Sequence, residues 1–217
     1  MFRRILFPTD FSDYARRVMD CIADLPGVME VVMVHIVGTN KPASLRSDMV
    51  SSARTRIESE ATLLNNLGIP SVRTEVMVHE SPAAGIDDAA NRNNSDIIVM
   101  GARGKSIIKG LRLGSVTQKV LHESKKNLLI MRGPIIETLS GEKFQKYCPL
   151  IFSRVLVPVD LTTESWTAVE QLAKIPDVQE IIAAFVISRG ESEQEIERLK
   201  QQAGDELEKK CSQLPTR

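Results

Sequence analysis

Apolar residues along this chain follow two alternating rhythms, short continuous runs and longer stretches spaced three or four apart. Ile5-Leu6-Phe7 is a short apolar run bounded by Pro8, which predicts a buried strand. Ser12 is a good N-cap, and Ala15, Val18, Met19 and Ile22 then fall at helical spacing. Pro26-Gly27 breaks that helix, and the Val-rich run over 31–37 predicts a second strand. A longer helix is expected over 44–67, with Met49, Val50, Ala53, Ile57, Ala61 and Leu64 on one stripe and Gly68 as its stop. Residues 72–78 interleave Arg73, Glu75 and Met77 with Val72, Thr74, Val76 and Val78, which predicts a strand more exposed on one face. A helix over 83–90, a buried strand over 96–100, a helix over 115–123 and a last strand over 128–131 complete the series.

The resulting pattern, βαβαβαβαβ, predicts an α/β fold: right-handed crossovers and an open parallel sheet with helices on both faces. In such sheets ligands sit at the carboxyl ends of the strands, where the strand order reverses. That rule selects the ends of strands one and four, where the chain places Pro8-Thr9-Asp10 and Gly101-Ala102-Arg103-Gly104.

The chain also repeats itself. Residues 4–10, RILFPTD, recur as residues 154–160, RVLVPVD, and the offset of 150 persists without a gap. Ala23-Asp24-Leu25-Pro26 matches Ala173-Lys174-Ile175-Pro176, and Glu30-Val31-Val32 matches Glu180-Ile181-Ile182. A period this long indicates duplicated domains, not a solenoid. The expected division is a complete domain over 1–135, a polar linker over 136–150 and the first half of a second copy over 151–217. Arg217 is the counterpart of Leu67, so nothing downstream of that point recurs. Trp166 and the charged stretch over 191–210 read as helix faces of the second copy.

Composition narrows the function. The 217 residues are 42% hydrophobic, ordinary for a packed globular chain, and 28 Lys+Arg balance 28 Asp+Glu. That balance leaves no basic footprint for nucleic acid, and no apolar run reaches the roughly 18 residues of a membrane span. Pro8 and Asp10 cut the apolar start too short for a signal peptide. Three scattered cysteines, Cys21, Cys148 and Cys211, argue for a reducing, cytoplasmic compartment and against a disulfide scaffold or zinc site. His35, His79 and His122 have no spacing that suggests a metal site or catalytic pair.

The candidate chemistry lies after strand four. Gly101 and Gly104 follow a buried strand, and Gly114-Ser115-Val116-Thr117 open the next helix. Such glycines allow close approach of a ligand, and a helix N-terminus offers N–H groups and positive dipole to phosphate oxygens. The hydroxyls of Ser115 and Thr117 are expected to add hydrogen bonds. A P-loop would need glycine where Val99 stands, and no GxGxxG is present. The alternatives are that Asp10 merely caps the first helix, that Ile36 is ordinary core, and that Arg103, Lys105, Lys109 and Arg112 form a solvated basic loop.

Pro8-Thr9-Asp10 after strand one, with G-2x-G-9x-G-[S/T] from Gly101 after strand four, resembles the ATP-binding branch of the universal stress proteins, in a tandem form with an incomplete second domain. The resemblance implies a five-stranded sheet of order 3-2-1-4-5 with ATP or AMP lying across strands one and four, and leaves room for Mg²⁺ with ATP. It implies that Asp10 and Ile36 contact adenine or ribose, with Pro8 and Thr9 beside them, and that Met100 and Gly101 line the ribose. Gly104, Gly114, Ser115, Val116 and Thr117 would hold phosphates, with Arg103 nearby. It further implies a stress-response or signalling module that forms a homodimer through its last strand. A dedicated enzyme is not expected, because no general base or acidic cluster accompanies the loop, although slow ATP hydrolysis is compatible with the fold. Two alternatives stand beside this reading. An ATP-using enzyme of a related α/β fold would resemble the amide synthetases or nucleotidyl transferases, but their SGGxDS or HxGH stretch is replaced here by Pro-Thr-Asp-Phe-Ser. A nucleotide-free interaction scaffold would not need the glycine loop.

Overall fold

Strand β1 (Arg4–Pro8) carries Ile5, Leu6 and Phe7, each at 0% exposure, which requires that both faces of the strand be covered. They are covered because β1 lies at the centre of a five-stranded sheet. In chain order follow α1 (Asp13–Ile22), β2 (Glu30–Gly38), α2 (Ala43–Asn66), β3 (Ser71–His79), α3 (Pro82–Arg92), β4 (Ile97–Gly101), α4 (Ser115–Glu123) and β5 (Asn127–Met131). The sheet order is β3-β2-β1-β4-β5 and every pair is parallel. The expected architecture and strand order are therefore those found. The computed structural model describes residues 2–102, 113–131, 151–187 and 192–214.

Alternation across the sheet separates two cores. Leu6, Val32, Val34, Ile98 and Met100 face α3 and α4, where they meet Ala83, Ile86, Ala89, Ala90 and Val120. Ile5, Phe7, Val31 and Met33 point to the opposite face, which α1 and α2 cover with buried Val18, Met19, Ile22, Ile57 and Leu64. The caps are local. Ser12 accepts from Ala15 N at 3.1 Å, and Ser81, followed by Pro82, accepts from Ala84 N at 3.4 Å. Gly68, at φ +86°, follows the end of α2 in the left-handed conformation that glycine adopts without strain.

Two expectations need adjustment. The apolar stripe of α2 is buried only from Ala53 onward, whereas Met49 is 38% exposed and Val50 half-buried. The stretch from Ala53 to Leu64 spans about 17 Å at 1.5 Å per residue, enough to cross the sheet. The earlier turns of α2, before Ala53, carry no buried residue. On β3, Met77 packs against the core under α3 while Val78 is 47% exposed, because α3 closes over the face that polar alternation assigned to solvent.

The chain divides into two compact units, Phe2–Pro149 and Leu150–Arg217. The linker expected over 136–150 lies outside the described residues. In the second unit β6 (Arg154–Pro158), α5 (Thr163–Ala173), β7 (Glu180–Ala184) and α6 (Glu193–Cys211) repeat the first four elements. The β6–β7 register, Arg154 opposite Glu180 through Pro158 opposite Ala184, reproduces that of β1–β2. Its core is Val157, Val159, Trp166 and Val169. Leu156, however, is 66% exposed where its counterpart Leu6 is at 0%, because no described element of this unit occupies the place of α3.

The cysteine reading requires a correction. Cys21 lies on the buried face of α1 and is disulfide-bonded, while Cys211 is free and exposed. One bridge is not a disulfide scaffold, but it removes the cysteine argument for a reducing compartment. No described helix is long and apolar enough to cross a membrane.

Candidate functional site

The end of β1 is fastened to the sheet before it turns into α1. Thr9 N donates to Val34 O at 2.9 Å, which extends the β1–β2 ladder by one bond. The Thr9 carbonyl accepts from His35 Nδ1 at 2.8 Å, which places the ring proton on that nitrogen. Thr9 is 5% exposed, and its hydroxyl accepts from Phe11 N at 3.0 Å while donating to Glu60 Oε2 at 3.4 Å. Asp10 then presents its carboxylate beside the strand end, with Oδ1 accepting from Ser12 N at 3.0 Å in an Asx turn. The helix cap is Ser12, not Asp10. Phe11 takes φ +61°, a left-handed conformation unusual for a residue with a side chain.

The neighbouring strand, β4, ends at Gly101 and is followed by Ala102. Ala102 N donates to Met131 O at 2.8 Å, and Ala102 O accepts from Gly114 N at 2.7 Å. Thr117, 3% exposed, donates its hydroxyl to Gly101 O at 3.0 Å. These bonds tie the N-terminus of α4 to the tip of β4 and close the base of the connection between them. Thr117 therefore directs its hydroxyl into the fold and not toward a phosphate, as the sequence had suggested; what it can offer a ligand is its N–H. Gly114 occupies the N-cap at φ −67° and ψ 153°, and the first N–H groups of α4, at Ser115, Val116 and Thr117, have no acceptor within the helix. Ser115 is exposed and Val116 packs on the core.

Of the other expected residues, Pro8 ends β1 and Met100, 7% exposed, lies in the core just before Gly101. Ile36 packs half-buried under α3, close to Gly85. Arg103 and Gly104, with Lys105, Lys109 and Arg112, lie outside the described residues. The structure thus brings a carboxylate at the end of β1 and a helix N-terminus at the end of β4 to the carboxyl edge of two adjacent strands. Among the described residues no group of three or more His, Cys, Asp or Glu could hold a metal ion.

Sequence reasoning missed the polar cluster beneath this loop. Glu60 is 4% exposed and meets Arg16 at 3.4 Å as well as Thr9. Arg56, one turn earlier on α2, donates to Phe11 O at 2.7 Å with its guanidinium carbon 4.7 Å from the centre of the Phe11 ring. His35 stacks on the same ring with centroids 4.4 Å apart. The available signal was Glu60 itself, a carboxylate on the stripe that holds Ile57, Ala61 and Leu64.

The second unit keeps a related cleft of about 380 Å³. Pro158, Val159, Asp160, Ala184, Phe185 and Val186 line it and are the counterparts of Pro8, Thr9, Asp10, Val34, His35 and Ile36. Hydrogen bonds from the Thr162 hydroxyl and backbone, and from the Ser165 hydroxyl, hold the exposed Asp160 carboxyl below its ordinary pKa.

Residues 1–132 match the family model described as the universal stress protein family. A universal stress protein of Methanocaldococcus jannaschii is 26% identical over 157 residues, 61% of this chain and 96% of that relative. The solved structure of that relative matches with a TM-score of 0.56 at 28% identity, covering 62% of this chain and 99% of that one. A universal stress protein structure from Archaeoglobus fulgidus covers 94% of this chain and 72% of its own, with a TM-score of 0.64. At 24% identity that last likeness concerns the fold alone.

Proposed function

The chain belongs to the universal stress protein family, and from that premise we propose that its first unit binds an adenine nucleotide, ATP or AMP, as a stress-response or signalling module. The observation that supports this most is the pairing of Asp10, at the end of β1, with the N-terminus of α4, which Gly114 N–Ala102 O and Thr117 Oγ1–Gly101 O hold against the end of β4. The first feature suits the hydroxyls and base of a nucleoside. The second suits phosphate oxygens, which accept hydrogen bonds and carry the charge a helix N-terminus favours.

In this reading Asp10, Pro8, Thr9 and Ile36 hold adenine and ribose, and Met100 and Gly101 line the ribose. Backbone N–H groups of Gly114, Ser115, Val116 and Thr117 hold phosphates, aided by the Ser115 hydroxyl and, from the sequence motif, Gly104 and Arg103. Mg²⁺, with ATP, would be carried on the phosphates. The role is binding and not turnover, because the assigned groups bind and orient without supplying a base for an attacking water. Pairing of β5 with its copy in a second chain is part of the same proposal.

Gly114→Val tests it. The N-cap angles suit any residue, so the fold should be kept while the added branches stand where a phosphate would approach. Calorimetry should show ATP affinity reduced at least about tenfold, or 1.4 kcal/mol, in a variant that still unfolds cooperatively. Equal affinity in the two proteins would overturn the proposal.

A further inference from the structure

The β1–α1 turn is gripped from α2 on both sides of Asp10. On one side Glu60 takes the Thr9 hydroxyl, and on the other Arg56 takes the Phe11 carbonyl and packs on the Phe11 ring. His35 adds a bond to the Thr9 carbonyl and a stack on Phe11. Neither Arg56 nor Glu60 is among the residues assigned above to the ligand.

The second unit supplies an internal control. There the counterparts of Thr9, Phe11, Arg16, His35, Arg56 and Glu60 are Val159, Leu161, Trp166, Phe185, Glu206 and Lys210. The first five cannot make the corresponding bonds or stacks, and Lys210 reverses the charge of Glu60. Yet Leu161 keeps φ +65° beside the +61° of Phe11, and Asp160 Oδ1 still accepts from Thr162 N, at 3.1 Å. There the turn forms on apolar packing of Val159, Leu161, Trp166 and Phe185 and on the Thr162 hydroxyl donating to Asp160 Oδ1, with no counterpart of the grip from α2. The polar grip in the first unit is therefore not needed to make the turn fold. It is found in the unit where the same turn stands beside a helix N-terminus able to take phosphate.

We propose that Arg56 and Glu60 are positioning residues for Asp10: acting through Phe11 and Thr9, they hold its carboxylate in place toward the nucleoside part of the ligand and so set affinity without touching it. The inference rests on the nucleotide-binding reading of this site. Their action should therefore depend on Asp10 and be confined to ligands that contain the nucleoside.

The test uses the full chain, with ATP, adenosine and inorganic tripolyphosphate as separate probes in calorimetry. Arg56→Met and Glu60→Gln should each weaken ATP and adenosine about tenfold, within the range of coupled neighbouring sites, and leave tripolyphosphate unchanged. Arg56→Lys, which keeps a donor for the Phe11 carbonyl, should recover part of the loss. With Asp10→Ala already present, Arg56→Met should have no further effect. The second unit keeps the same turn with Glu206 and Lys210 at these two positions, so these variants are expected to retain a cooperative thermal transition. Adenosine affinity unchanged in both variants, an equal loss for tripolyphosphate, or an undiminished effect of Arg56→Met beside Asp10→Ala would overturn the proposal. Failure of the unaltered chain to bind any of the three probes would overturn the nucleotide reading itself, and this inference with it.

Discussion

Gly85 shows how closely a single position can be tied to the site. A Cβ there would lie 3.0 Å from His79 Cβ and 3.1 Å and 3.2 Å from two carbons of Ile36. The Ile36 contacts involve movable methyl groups, but His79 Cβ is fixed to a strand. Replacing a helical glycine with alanine usually gains about 1 kcal/mol, whereas overpacking a core costs about 1–3 kcal/mol. Gly85→Ala should therefore lose roughly 1 kcal/mol of stability in urea unfolding, against the helix-propensity trend, and any gain would show that α3 moves away freely. Residues whose chemistry is local were legible in the sequence: Ser12 as a cap, Gly68 as a stop, Gly114 opening α4. Glu60 and Arg56 were not, because their partners Thr9 and Phe11 are more than forty residues away in the chain. Helical periodicity says that Glu60 sits on the buried stripe but not what it meets there. Phe11 was equally silent, since a left-handed angle at a non-glycine residue costs about 1–2 kcal/mol and is set by surroundings that the sequence does not display.

At the scale of elements, alternation of strands and helices was enough to infer a parallel sheet, because only one hand of crossover packs well. It could not show that the first turns of α2 bury no residue, which depends on how far the sheet extends in space. Strand β5 carries a consequence of its own. It pairs with β4 on one side, and no described strand lies on the other. Ala102 N donates to Met131 O, so Met131 and, by alternation, Leu129 direct their backbone groups to β4, while Leu128 and Ile130 direct theirs to the open edge. With Leu128, Leu129 and Ile130 only half-buried, this is an edge suited to another strand. Ile130→Pro removes an outward N–H and leaves the bonds to β4 in place. If chains pair through β5, light scattering at high micromolar concentration should show a dimer for the unaltered chain and a monomer for this variant. A monomeric unaltered chain, or a dimer indifferent to the proline, would count against pairing through β5.

At the scale of the whole chain, the repeat was visible because an offset of 150 residues aligned strand, turn and helix without a gap. The sequence did not show what the second unit does with surfaces that the first one buries. Leu156, on β6, and Val186, just past the end of β7, stand 66% and 75% exposed, in a unit whose two-stranded sheet three or more strands would ordinarily stabilise. The cleft beside Asp160 retains counterparts of the residues proposed to hold adenine, but no described element there corresponds to β4 or to the N-terminus of α4. A ligand with phosphates would meet the carboxylates of Asp160 and Glu164 in that cleft. The chain should accordingly bind one nucleotide and not two. Titration of the full 217 residues with ATP should reach a stoichiometry near one, abolished by Gly114→Val in the first unit alone. The piece 150–217, prepared separately, should show neither binding nor a cooperative thermal transition, because its sheet has one face bare. A stoichiometry of two, or ATP binding by that piece, would mean that the turn at Asp160 holds a nucleotide without a counterpart of α4 to take its phosphates.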